Sequence, residues 1–464
     1  MINKSCNEIC KWIDGAELYH AEDVVIKGVS IDSRQVQPGN LFIPLKGERV
    51  DGHHYLESAV HNGASAALWN VDEPLPEFDF PLILVKDTMS ALTQLAKGYR
   101  DSCDFQVVGI TGSNGKTSTK DMIAGVLSAK AKVMKTLGNH NNEIGVPLTL
   151  LSFDEDCEIV VVEMGMENLH EIEQLCRLVR PNIGIITNVG SAHLENLGSM
   201  ENIARAKCEL MDGLPEDGLF IYNMDDPYLV SEIKQHDYRN LKVYGFSMKA
   251  ASDCRCVAFK QDEAGISFKT SLSERYFELH MLGEHQALNA CAALLVGKYF
   301  EMSDELIQKG FDLVENTGMR NQLEKIGRWT VLNDSYKSNP QSAMAALKTF
   351  SYFSHPYKIV LMGDMLDLGE DTYTYHRNLG EACARSDIQE CWCYGELGKE
   401  IAVGAKKENP NLNVRHFSTH EAVEEAISKQ FTQSRMLLVK GSRGMHLDLV
   451  IDWMKEQVDK DGEN

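Results

Sequence analysis

The sequence has no uninterrupted apolar run approaching the roughly 18 residues that a membrane-spanning helix requires. Its first segment, MINKSCNEICKWIDG, is polar and does not have the pattern of a secretory signal. A cytoplasmic protein without a membrane partner is therefore expected. Basic residues are in deficit, with 46 Lys and Arg against 68 Asp and Glu and a formal charge of -22. Surfaces that hold nucleic acid or anionic lipid gather Lys and Arg into clusters, so this balance argues against both. An anionic substrate has to be met by local basic groups instead.

Paired cysteines are also missing. The 12 cysteines are scattered, and Cys254/Cys256 and Cys391/Cys393 are spaced by one residue inside apolar, strand-like stretches, unlike zinc knuckles. They read as reduced, mostly buried thiols. No repeat or low-complexity segment occurs, and the polar tail Lys455 to Asn464 reads as frayed. No Ser/His/Asp or Cys/His set stands out, so chemistry through an enzyme nucleophile is not indicated.

What is present is a globular composition, 43% hydrophobic and 25% charged over 464 residues, with room for about three domains. The organising stretch is VVGITGSNGKTSTK, Val107 to Lys120. An apolar run of buried-strand type ends in a glycine turn, and a helical pattern follows with Met122, Ile123, Val126 and Leu127 on one face. Glycines at 112 and 115 permit close approach, backbone N–H groups and the helix N-terminus point at an anion, Lys116 reaches β- and γ-phosphates, and the Thr117 hydroxyl suits magnesium. Ile110 occupies the position where the P-loop pattern has its first glycine. The bland alternative is an ordinary strand-to-helix turn.

Residues 1 to 86 read as a small α/β unit. A strand carrying Asp32, Ser33 and Arg34 precedes a Pro-Gly turn, a strand Leu41 to Leu45 and the run Lys46-Gly47-Glu48-Arg49. Hydroxyl, guanidinium and open backbone at Ser33, Arg34, Lys46, Gly47 and Arg49 suit a sugar or nucleotide diphosphate, whereas an Asp–Arg surface pair beside a glycine turn is the plainer reading. A helix over Met89 to Tyr99 leads into the central unit.

There, Asn139, Asn141 and Asn142 form either a polar recognition surface or a turn. Glu163 ends the strand Glu158 to Val162, so it lies at the carboxyl edge of a parallel sheet, where it can hold Mg²⁺ or cap a helix. His193 follows the strand Asn182 to Thr187 at the same edge, as a ligand or as a solvated loop residue. Lys207 and Asn289 lie on helices and give no signal alone. Beyond Gly318 and Arg320 the β/α alternation restarts, with Asp334 ending a strand, Pro340 opening a helix and Lys440-Gly441-Ser442-Arg443 at a strand-to-helix turn; this means a second parallel sheet.

TGSNGKTST, the glutamate of VVVEMGM, NVGSAHLENLGS followed by AKCE, GEHQALNACAA, the Asp of NDSYKSNP, and KGSRG occur together over residues 107 to 444. In this order they resemble the ATP-dependent Mur ligases of bacterial peptidoglycan synthesis. LKGERVDGH, GNHNNEIGVPLTLL, and GDMLDLGE with His376 are similar to the branch that joins D-Ala-D-Ala to UDP-N-acetylmuramoyl-tripeptide.

The resemblance implies an α/β protein of three domains: an N-terminal UDP-sugar domain over 1–86, a central P-loop parallel-sheet ATPase domain over 87–316 and a C-terminal Rossmann-like domain over 317–464. It implies ATP and Mg²⁺, with Gly112, Ser113, Asn114, Gly115, Lys116, Thr117 and Ser118 on the phosphates and Asn289 on adenine. Arg320 and Asp334 are implied at ribose and phosphates, Thr117 and Glu163 at one Mg²⁺ and His193 at a second. Lys207 matches a lysine that is carbamylated in several relatives. Lys337 stands where the branch usually has Asn, and no role is assigned to it. A monomer is expected. Two rivals use the same residues: another ligase of this architecture, such as a different Mur enzyme or a folylpolyglutamate synthase, and a nucleotide-dependent switch that forms no amide.

Overall fold

The computed structural model of the chain describes residues 1–21, 24–47, 49–235, 240–315 and 318–462. Strand Gln106–Thr111 lies inside a nine-stranded sheet between Ile159–Glu163 and Ile183–Ile186, parallel to both. Outward from these run Val133–Lys135 on one side and Leu219–Asn223 and Lys242–Ser247 on the other, all parallel. Cys254–Gln261, Ile266–Thr270 and Tyr276–Leu279 extend the edge as an antiparallel meander.

The apolar strands are continuous because both faces are covered. Val107, Val160 and Val162 pack with Leu92, Leu95 and Ile172 on one side. Their neighbours Val108, Ile110 and Val161 pack with Met122, Ile123 and Ala290 on the other. On that second side the helix Lys116–Ser128 meets Asp304–Asp312 at Gly125 and Gly310, where a methyl group on Gly310 would lie 2.3 Å from the Val126 Cα.

A six-stranded sheet forms the C-terminal unit in the order Gln322–Ile326, Trp329–Asp334, Arg435–Lys440, Lys358–Met362, Glu390–Tyr394, Asn413–Phe417. It is parallel except for its first strand, which pairs antiparallel with the second. That edge strand is invisible to an apolar-run reading because QLEKI is charged and only half covered. The N-terminal unit holds a five-stranded mixed sheet, Glu17–Tyr19, Leu82–Val85, Ala66–Asn70, Leu41–Phe42 and Val29–Ser30.

Three expectations need correction. The strand expected to carry Asp32 to Arg34 ends at Ser30, because Asp32 turns the chain by accepting the Arg34 N–H at 3.0 Å. The strand expected over Leu41 to Leu45 is Leu41–Phe42. The tail from Lys455 is helical: Asp448–Gly462 is one helix, with Met454 buried and Lys455 paired with Glu324 at 2.6 Å. In the glycine-containing run DGHH a histidine would be expected to be a solvated loop residue, but His53 is buried, with its Nδ1 on Asp51 at 2.6 Å. The expected boundary at 316/317 lies outside the described residues. Among the described residues no helix is long and apolar enough to cross a membrane.

Candidate active site

The loop after Gln106–Thr111 is held in shape by its neighbour strand end. Gly112 has φ 149°, and a Cβ there would sit 1.9 Å from Thr187 Oγ1, so only glycine fits. Thr187 Oγ1 and Asn188 Nδ2 donate to the Asn114 carbonyl at 2.6 and 2.9 Å, while the Asn114 N–H donates to Asn188 Oδ1 at 2.9 Å. The Gly190 N–H donates to Ser113 Oγ at 2.8 Å. Gly115, at φ 79°, starts the helix Lys116–Ser128 with its first-turn N–H groups facing the cleft. Ser118 lies in that first turn. This geometry has the form a phosphate cradle takes, with glycine backbone and helix N-terminus turned to one cleft.

Lys116 Nζ folds back onto the Gly112 carbonyl at 2.7 Å. Burial lowers its pKa to about 8; Glu163 opposes the shift, and Lys337 and Arg320 add to it. Thr117 Oγ1 donates to Glu163 Oε2 at 2.9 Å, and Asn141 Nδ2 donates to Glu163 Oε1 at 2.8 Å. Glu163 therefore caps no helix: it is buried beside the cradle, with its own N–H on Thr136 Oγ1 at 3.0 Å. The other asparagines divide differently. Asn142 Oδ1 accepts the Gly145 N–H at 2.9 Å and turns the chain into the helix Gly145–Ser152, while the Asn139 carbonyl accepts the Asn141 N–H at 2.8 Å. All three amides line the cleft.

His193 adopts a left-handed backbone at φ 64° and is half-buried rather than solvated. Burial first, then Lys337, Lys207 and Lys116, push its pKa down to about 3, so the ring is neutral. Lys207 is no surface lysine: it is 2% exposed on helix Met200–Asp212. Burial, with Lys116 and Lys337, lowers its pKa well below the ordinary value. Among the described residues no carboxylate lies within ion-pair distance of that amine. Asp226, which feels its charge, spends its oxygens on the N–H groups of Val189, Tyr228 and Leu229 at 2.6, 3.1 and 3.2 Å.

The C-terminal unit supplies the opposite wall. Asp334 Oδ2 accepts from Lys440 Nζ at 2.7 Å, and Asp334 Oδ1 accepts the Asn321 N–H at 3.3 Å. The Arg320 guanidinium lies 4.2 Å from the Tyr336 ring centroid, with its Nε buried and unpartnered. Asn339 Nδ2 donates to Asn114 Oδ1 at 2.7 Å, joining the two units at the cradle itself. Asn289 lies against Gly115 and donates to Gln286 Oε1 at 3.1 Å. Asn289, Arg320, Asp334, Tyr336 and Lys440 line a cavity of about 1130 Å³ with Ser113 to Ser118, Glu163 and His193.

Thr187, Asn188, Tyr336 and Gln341 went unsingled in the sequence reading. Thr187 directly precedes the NVGS run and Asn188 opens that run, whose signal was its position after a buried strand, and the others lie within or just after NDSYKSNP.

The N-terminal candidates sit elsewhere. None of Ser33, Arg34, Lys46, Gly47 or Arg49 borders this cavity. Ser33 is buried, and Arg34 grips Asp32 through Nε and Nη2 at 2.9 and 2.7 Å. The Gly47 N–H donates to the Val50 carbonyl at 2.9 Å, and Arg49 is exposed. Asp51, His53 and Glu73 offer ligand atoms within 4.8 Å of one another, but Lys46 already contacts the two carboxylates at 3.5 and 3.2 Å.

A phosphate cradle at a parallel-sheet edge, faced across a cleft by a second nucleotide-fold unit, defines the class of ATP-dependent ligases, and comparison with known proteins agrees. Models of the Mur ligase family catalytic domain, the Mur ligase middle domain and the Mur ligase glutamate ligase domain match residues 25–100, 110–297 and 319–443. The chain is 40% identical over 97% of its length to UDP-N-acetylmuramoyl-tripeptide--D-alanyl-D-alanine ligase of Bacillus subtilis (strain 168), covering 98% of that protein. The crystal structure of MurF from Acinetobacter baumannii superposes with a TM-score of 0.87 at 27% identity, covering 98% of this chain and 99% of that one. MurF ligase from Thermotoga maritima in complex with ADP gives 0.80 at 25% identity, covering 94% and 98%. The chain belongs to the Mur ligase family and has its three-domain α/β fold.

Proposed function

We propose that the chain joins D-alanyl-D-alanine to UDP-N-acetylmuramoyl-tripeptide at the expense of ATP, as the names of its relatives describe. Residues 1–86 receive the UDP-sugar through Ser33, Arg34, Lys46, Gly47 and Arg49; 87–316 bind ATP; 317–464 close the cleft. The observation that carries this reading is the shared cavity. Its lining runs from Ser113 to Ser118, Glu163 and His193 on one side to Arg320 and Asp334 on the other, and Lys207 lies behind it, close enough for its charge to be felt at His193.

Residues 112–118 hold the phosphates, with Asn289, Arg320 and Asp334 at the nucleoside side. Magnesium fits Thr117 and Glu163, a hydroxyl and a buried carboxylate oxygen 2.9 Å apart, because it prefers hard oxygen donors. The neutral His193 suits a second ion, whereas Lys207 suits one only after its amine takes up CO₂ and becomes an anionic oxygen ligand. When bound, the metal neutralises charge on the transferring phosphoryl group.

The tripeptide carboxylate oxygen attacks the γ-phosphorus, the bond to ADP breaks, and the acyl phosphate forms. The dipeptide amine then attacks the activated carbonyl, phosphate departs and the amine proton is lost to solvent. Lys116 offers its ammonium to the γ-phosphoryl oxygens, and the cradle N–H groups fix the phosphates in line. Asn141, on Glu163, and the cavity-lining Asn139 and Asn142 would receive the substrate peptide near its reacting carboxyl group. Orientation of the reactants can supply roughly 7–11 kcal/mol of the barrier.

Incubation of the purified chain with ATP, magnesium, UDP-muramoyl-tripeptide and D-Ala-D-Ala tests the reading. A pentapeptide product in the mass spectrum, with ADP release that depends on the dipeptide, is expected. ATP hydrolysis that ignores the dipeptide would instead mark a nucleotide switch, and product formed only with another acceptor would mark a different ligase.

A further inference from the structure

Lys337 is the cleft cation that the reaction above leaves without work. Its loop is built rigidly. Lys440 Nζ donates to Asp334 Oδ2 at 2.7 Å and to the Lys337 carbonyl at 2.8 Å, which fixes the front of the loop. Asn339 fixes the back, donating to Asn114 Oδ1 at 2.7 Å while its own Oδ1 accepts the Ser342 N–H at 2.9 Å and starts the helix Pro340–Ser351. Ser191 Oγ adds a second tie to that helix through Gln341 Oε1 at 3.0 Å. The Lys337 side chain, between these anchors, lines the same cavity as the cradle.

Among the described residues no carboxylate lies within ion-pair distance of the Lys337 amine. Its field reaches Lys116, Lys207 and His193 on the inner side, while Asp367, Glu167 and Glu163 balance it only from beyond contact. Holding an unpaired ammonium near Lys116 and Arg320 is unfavourable unless an anion of several charges occupies the space between them. Lys337 lines the cavity with Lys116, so the group of that charge nearest to both is the γ-phosphoryl group that passes from ATP to the substrate carboxylate.

We infer that Lys337 is a catalytic residue of the phosphoryl-transfer step, donating hydrogen bonds from the C-terminal unit to γ-phosphoryl oxygens that Lys116 holds from the central unit. No proton or bond to Lys337 changes hands: the carboxylate–phosphorus bond forms, the bond to the ADP oxygen breaks, and its electron pair leaves with ADP. Since Lys337 arrives on the docked C-terminal unit, phosphoryl charge is fully neutralised only when that unit is in place.

This inference rests on the ligase reading, and the two fail separately. Wild-type enzyme must first yield the lengthened product; if it does not, the ligase reading falls. Given an active wild type, Lys337→Met is expected to lower kcat about 10²–10³-fold, the usual loss for one donor to developing charge. Calorimetry in the presence of the UDP-tripeptide should show a non-hydrolysable ATP analogue binding at least tenfold more weakly while ADP affinity stays within twofold. Lys337→Arg should recover part of both. A Met variant with kcat within twofold of wild type, or one that loses ADP and analogue affinity equally, overturns the assignment.

Discussion

Asn339 and Asn114 stand 225 residues apart in the chain and share a 2.7 Å hydrogen bond, Nδ2 to Oδ1, between the C-terminal unit and the phosphate cradle. The same Asn339 side chain caps the helix Pro340–Ser351. One residue thus carries a local and a long-range task, and substitution can separate them. Asn339→Ala loses both, and the lost cap costs about 1 kcal/mol. That corresponds to a fall of about 2–4 °C in Tm. Serine caps well but is too short to reach Asn114. Asn339→Ser is expected to restore Tm in thermal melts while kcat/KM for ATP stays reduced about tenfold, the value of one hydrogen bond of roughly 1.4 kcal/mol. Restoration of both would remove the bridge from the account of ATP use.

Gly112 admits no side chain, since a Cβ would lie 1.9 Å from Thr187 Oγ1 at a backbone angle that L-residues rarely adopt. Gly112→Ala should displace Thr187 and with it the hydroxyl that holds the Asn114 carbonyl. Nucleotide affinity is expected to fall by about 100-fold or more, equivalent to about 3 kcal/mol, with UDP-substrate affinity little changed. Titration of the variant with ADP checks this.

The lowered pKa of Lys116, about 8 in the free protein, has two consequences of known sign. Between about pH 8 and the ordinary lysine value of 10.5, the unfolded chain binds the extra proton, so this group makes stability rise with pH across that window. Nucleotide needs the protonated amine. ATP binding near pH 8.5 should therefore take up protons, seen as a dependence of calorimetric heat on buffer ionisation enthalpy, and Lys116→Met should abolish the uptake and ligation together.

Lys207 is buried, and burial lowers its pKa well below the ordinary value, which favours the neutral amine that reacts with CO₂. Lys207→Ala should lose most activity and regain part of it with short carboxylic acids that fill the vacated space. In ¹³C-bicarbonate the wild type should show a carbamate resonance that the variant lacks. Full activity of the unrescued variant would return Lys207 to a packing role.

Much of this site was readable from the chain because its logic is local. Glu163 was placed by one rule, that ligands gather beyond the carboxyl ends of parallel strands, and its 2.9 Å bond to Thr117 follows from it. The glycines at 112 and 115 announced the cradle in the same way. Long-range relations were silent. Nothing in KGSRG says that Lys440 will hold Asp334, and a helical lysine at 207 looks alike whether it faces solvent or is buried. Asn142 was ambiguous because a capping amide and a recognising amide have the same composition; only the 2.9 Å bond to the Gly145 N–H separates them. The edge strand Gln322–Ile326 was hidden because its pattern of charge is that of a loop.

The glycine contact between the helices Lys116–Ser128 and Asp304–Asp312 brings backbone directly against backbone, with no side chains between them to slide or compress. The cradle accordingly rests on an unyielding floor. The facing wall, by contrast, is tied to the cradle through side chains, Asn339 on Asn114 and Gln341 on Ser191, so it is the part of the cleft with slack to give.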